Sequence, residues 1–145
     1  MEEPTYLSTK NAYERDSHIV FDEGPHIYTI DGDSDYMSVT TWNHSHFPHF
    51  DADAIITKMM NSPKWEKNKY FGMTREEIKN LWDLNGAEAS KAGTKMHFDI
   101  ECYYNDMDVE VDENCLEWKY FEEFEKKIGY KLEPYRTEWM IWDSE

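Results

Sequence analysis

From His18 onward, apolar and β-branched residues come in short runs, HIVFDE, HIYTID and YMSV, separated by Gly24-Pro25 and by GDSD. Runs of this length bounded by Gly, Pro and Asp predict short β segments joined by turns, a small antiparallel β-meander. The period then lengthens to that of helices. In TTWNHSHF, Thr40 or Thr41 can cap a short helix that Pro48 ends by withholding a backbone donor. Asp51 is placed to cap the helix ADAIITKMMN, with Ile55, Ile56, Met59 and Met60 on one face and Pro63 beyond it. Thr74-Arg75-Glu76-Glu77 has capping-box spacing and starts a helix that carries Ile78, Leu81 and Trp82 inward.

Gly86 and Gly93 interrupt that pattern, leaving either one helix with weak points or two in succession. AGTKMHFDIECYY reads as helix from about Thr94, with Met96, Ile100 and Tyr103 or Tyr104 toward a core. After the acidic loop NDMDVEVDEN, Leu116, Tyr120, Phe124 and Ile128 recur at helical spacing, and Gly129 is the expected stop. At the end Thr137, Trp139 and Ile141 alternate with Glu138, Met140 and Trp142, the pattern of a strand. A strand with Trp on both faces expects sheet neighbours, so the chain reads as one cut short of its sheet. Residues 1–17 are polar and unpatterned and are expected to form a flexible arm. The fold class is then α+β: a meander, several helices and a final strand, with residues 18–145 as the domain.

Composition narrows the classes. A chain of 145 residues makes one domain or part of one, and 16% aromatic residues can fill an interior although hydrophobic content is only 39%. The formal charge of −16 repels a phosphate backbone at long range, which disfavours a protein that coats nucleic acid. It leaves open an enzyme whose carboxylates gather around divalent cations. Cys102 and Cys115 alone cannot build a tetrathiolate zinc site or an iron–sulfur cluster and read as reduced thiols. No apolar run is long enough for a bilayer, and the N-terminus is acidic where a signal peptide is basic; a soluble, intracellular protein is expected.

The candidate chemistry is concentrated in GTKMHFDIE. His97 and Glu101 are four apart and share a helix face, where a neutral imidazole beside a carboxylate can hold or orient a divalent ion or its water. Free amides at a helix start near Thr94, with Gly93 permitting close approach and Lys95 adjacent, suit a phosphate. A capped helix with an exposed His and Glu accounts for the same residues. Glu138 points away from Trp139 on the alternating strand, toward a cleft or toward solvent. His44, His46 and His49 could bind zinc only with a fourth ligand that neither cysteine supplies nearby in sequence. Trp42, Phe47 and Phe50 beside them serve as core or as stacking groups for nucleic acid.

Taken in order, HxYxIDG at His26–Gly32, SVTT, FDAD at a helix start, MTREEI followed by Trp82 and Gly86, GTKMH with an acidic residue one turn on, and PYRTEW form a series. That series resembles the N-terminal part of RecB-like PD-(D/E)XK nucleases, especially those encoded by large DNA viruses and phages. It covers most of the chain from His18, and GTKMHFDIE is its most specific piece. The resemblance implies an incomplete restriction-endonuclease-like α/β core and exonuclease-like, Mg²⁺- or Mn²⁺-dependent hydrolysis of DNA phosphodiester bonds in the complete protein, in a virus- or phage-infected cell. It further implies His97 and Glu138 as catalytic residues, His97 and Glu101 as metal ligands, and Thr94 and Lys95 as contacts to DNA. The family's next aspartate strand and its E-x-K or D-x-K motif would follow Glu145, so the chain alone is expected to be inactive. The alternative is a non-catalytic interaction or nucleic-acid-binding module of the same architecture.

Overall fold

Ile19–Asp22 (β1) and Ile27–Ile30 (β2) pair antiparallel in a computed structural model that describes residues 3–112 and 114–144. The two-residue period puts Ile19, Phe21, Tyr28 and Ile30 on one face, where both isoleucines are buried and Phe21 stacks on Tyr28 with ring centres 4.5 Å apart. Among the described residues this hairpin is the whole sheet. The predicted meander stops there because Asp31 and Gly32 both turn to left-handed backbone (φ 50 and 86) and a single bridge joins Ile30 to Asp33. Met37 and Val39 of YMSV are exposed, and Ser38 caps helix α2 (Val39–Ser45) by accepting from the Thr41 amide at 3.0 Å. That is the role expected of Thr40 or Thr41.

The α+β chain has five α-helices among its described residues and divides into two units, residues 37–92 and residues 1–36 with 93–145. The unit of residues 37–92 contains α2, α3 (Ala52–Met60) and the first part of α4 (Arg75–Tyr104). The Asp51 carboxylate caps α3 by accepting from the Ala54 amide at 2.9 Å. Thr74 and Glu77 form the expected capping box, the Thr74 amide donating to the Glu77 carboxylate at 2.6 Å and the Glu77 amide to the Thr74 hydroxyl at 3.3 Å. Lys79 donates to Asp53 at 2.8 Å and Arg75 donates to the Asp53 backbone oxygen at 2.9 Å. Ile56 and Ile78 are fully buried, and the Trp82 indole donates to the Tyr70 hydroxyl at 2.8 Å.

Helix α4 runs 30 residues without a break. Gly86 and Gly93 each cost about 1 kcal/mol relative to alanine, but the cost is borne by a long helix secured at both ends. At its C-terminus Asp106 adopts φ 59, its amide donates to the Tyr103 oxygen at 3.3 Å, and the Met107 amide donates to the Cys102 oxygen at 3.0 Å. This is a Schellman closure. A Cβ on Gly93 would meet nothing within 4 Å, so that glycine serves no close approach.

In the unit of residues 1–36 and 93–145, the segment expected to be a flexible arm carries α1 (Tyr6–Lys10), whose Leu7 is 2% exposed. Nor is the C-terminal segment a strand: residues 132–144 make no ladder. Several of its polar and aromatic groups meet the N-terminal segment instead, while Arg136 Nε and Trp142 Nε1 are buried without a hydrogen-bond partner among the described residues. Arg136 donates to the Asn11 backbone oxygen and the Asp16 carboxylate, each at 2.8 Å, and the Trp139 indole donates to Asp16 at 2.9 Å. Asn11 donates to the Tyr135 oxygen at 2.7 Å, and the Arg15 guanidinium lies 3.9 Å from the centre of the Trp142 ring. Trp139 and Trp142, expected on opposite faces of a strand, thus meet aspartate and arginine rather than a neighbouring strand.

Helix α5 (Leu116–Lys127) packs a different face from the one its apolar spacing predicts. Trp118 and Phe121 meet the rings of Tyr103 and Tyr104, whereas Leu116, Tyr120, Phe124 and Ile128 are exposed. Broad aromatic rings three apart reach Tyr103 and Tyr104 while the four-residue row turns outward. Among the described residues no helix is long and apolar enough to cross a membrane.

Candidate functional site

The second half of α4 presents Met96, His97, Ile100, Glu101 and Tyr104 at three- and four-residue spacing to a cavity of about 520 Å³. Leu132, Glu133, Pro134, Arg136, Thr137 and Glu138 form its other wall. His97 and Glu138, 41 residues apart, come together with the imidazole Nδ1 3.4 Å from the Glu138 Oε1. The geometry depends on a bend at Thr137–Glu138 in which Glu138 adopts φ 43, a left-handed backbone that costs a non-glycine residue on the order of 1 kcal/mol. Both side chains are well exposed, at 68% and 62%, so the pair adds little to stability and stays open to solutes.

Glu101 lies one turn along α4 from His97, and its carboxylate accepts from the Thr137 hydroxyl at 3.4 Å. Burial pushes the Glu101 carboxyl above its ordinary range; the nearby charge of Glu138 pushes it further, and the Thr137 hydroxyl partly offsets both. Tyr104 closes the apolar side, its phenol raised by burial and by donation to Glu125 at 2.5 Å. Gly129 leaves the space that the Glu125 carboxylate fills: a Cβ there would lie 2.1 Å from Glu125 Oε1.

Imidazole nitrogen and carboxylate oxygen are donors suited to Mg²⁺ or Mn²⁺, and a cation would oppose the burial and the Glu138 charge that raise Glu101. The set is nevertheless short of a site, since among the described residues no three His, Cys, Asp or Glu side chains are grouped to hold a metal ion. The donor chemistry fits; the number of donors does not suffice.

The other site residues expected from sequence lie elsewhere. Thr94 is in the interior of α4, where amides serve the helix's own ladder, so the phosphate seat expected at a helix start there is not formed. Lys95 is exposed and pairs with Asp99, and neither Thr94 nor Lys95 lines the cavity. His46 packs edge-on against Trp42 with ring centres 4.5 Å apart, and Phe50 meets Trp82 at 5.8 Å.

Three residues of structural weight carried no signal in the sequence reading. Asn105 is 3% exposed, the Arg136 side chain is 9% exposed, and Asp16 binds Arg136 and Trp139 together. Asn at the end of a helical pattern is common enough to pass as a stop signal, and the partners of all three are distant in sequence. No family model, curated protein or solved structure matches the chain.

Proposed function

We propose that the chain supplies one side of a metal-dependent phosphodiesterase site acting on DNA, exonuclease-like and of the RecB-like PD-(D/E)XK kind. One observation carries this reading: His97, Glu101 and Glu138, the residues singled out by the resemblance, line the same cavity. A divalent ion, Mg²⁺ or Mn²⁺, when bound would lower the pKa of a coordinated water and neutralise charge on the phosphate oxygens. In the tautomer that donates from His97 Nδ1 to Glu138, Nε2 would be the ring nitrogen offered to the ion. Glu101 and Glu138 add anionic oxygens to a cavity that Met96, Ile100 and Tyr104 also line.

A divalent-cation-dependent nuclease assay on the full-length gene product tests the reading. His97→Ala is expected to lower hydrolysis on the order of 100-fold; equal activity would remove His97 from the site. The second reading, a non-catalytic interaction or nucleic-acid-binding module, is favoured by the lack of a grouped three-ligand set among the described residues; the formal charge of −16 favours its interaction form over nucleic-acid binding. DNA binding by the full-length protein without hydrolysis in Mg²⁺ or Mn²⁺ would establish that reading instead.

A further inference from the structure

Asn105, just past α4, is the buried polar side chain among the described residues, and its amide joins three segments. Its Oδ1 accepts from the Leu7 amide at 2.8 Å, and its Nδ2 donates to the Glu101 backbone oxygen at 2.8 Å and to the Thr137 hydroxyl at 2.9 Å. Thr137 immediately precedes Glu138 and donates onward to the Glu101 carboxylate. Helix termination needs none of this, because the backbone bonds at Asp106 and Met107 already close α4.

The bend draws on it. Glu138 is left-handed, a conformation that persists only where its surroundings impose it. Arg136 and Trp139 tie the two sides of the bend to Asp16, and Thr137 ties the bend itself to Asn105 and Glu101. We infer that Asn105 is a positioning residue which, through Thr137, holds the bend so that the Glu138 carboxylate meets His97 across the cavity. The functional meaning of that contact rests on the phosphodiesterase reading; the contact itself does not.

Nuclear Overhauser contacts between the His97 ring protons and the Glu138 side chain test the inference in this chain. The parent should show them. Thr137→Val, which keeps the side-chain shape but removes the hydroxyl, should lose them while the contacts of the Leu7 methyl groups persist, and Thr137→Ser should restore them. Asn105→Ala should lose the same contacts if it folds, and Thr137→Val decides the matter if it does not. Their absence in the parent, or their full survival in Thr137→Val, would overturn the assignment.

In the full-length protein, with Mn²⁺ as the added ion, Thr137→Val should lower kcat about tenfold with KM little changed, and Thr137→Ser should recover it. The two readouts separate the claims. Contacts that respond as expected in a protein without hydrolysis would leave Asn105 in its role and refute the nuclease reading. Hydrolysis in a protein whose contacts ignore Thr137 would do the reverse.

Discussion

Each of the two units is held together internally, by contacts of different reach. In residues 37–92 the principal side-chain links span 3 to 26 residues: Thr74 with Glu77, Tyr70 with Trp82, and Asp53 with Arg75 and Lys79. In residues 1–36 and 93–145 they join Leu7 to Asn105 and Asp16 to Arg136 and Trp139, separations of 98, 120 and 123 residues. Closing loops of that length has an entropic cost before any contact rewards it, so the first unit can order from local signals and the second only after its distant segments meet.

Cutting into the local unit should have the largest effect. Ile78→Ala empties a fully buried site and should cost about 3 kcal/mol, measured by urea denaturation, with amide exchange accelerated over residues 52–82. Sparing those amides would show that the unit is not organised around Ile78.

Next comes the long-range clasp. Asp16→Ala should cost about 2 kcal/mol, less than for a wholly buried pair because the Asp16 side chain is 33% exposed while that of Arg136 is 9% exposed. The Asp16 carboxyl is held below its ordinary value, first by the Trp139 indole hydrogen bond and then by Arg136 against an opposing burial effect. A carboxyl depressed in the folded state contributes stability that is present above its unfolded value of about 4 and lost as pH falls through the folded one. Acid should therefore loosen this clasp, and the loss should be absent in Asp16→Ala. Tryptophan fluorescence followed from pH 7 to pH 2 checks both.

A smaller loss should follow Thr74→Ala, which removes half of the capping box and should cost about 1 kcal/mol, seen as a lower midpoint of urea denaturation. The smallest change should be a gain. Gly86→Ala adds a methyl group to open space within a helix and should stabilise by about 0.5–1 kcal/mol, raising the melting temperature. A loss there would mean that the helix needs its glycine.

The same contrast of reach explains what the sequence made legible. Asp51, Thr74 with Glu77, the hairpin, and the burial of Ile78 were readable because caps, turns and helix faces are written within a few residues. The ordered N-terminal segment, the missing final strand and the packed face of α5 were not. Each is decided by a partner that periodicity cannot name: Asn105 for Leu7, Asp16 for Trp139, and Tyr103 for Phe121. The site divides likewise. Helical spacing alone put His97 beside Glu101, whereas a strand reading of Glu138 gave no hint of the bend that turns it toward them.

That bend also bears on how the sequence can diverge. Left-handed backbone at position 138 favours glycine or asparagine, so neutral drift would relax the position toward them, with a gain in stability and the loss of the carboxylate. A glutamate or aspartate retained there in descendants of this chain would measure selection for the charge against the preference of its own backbone.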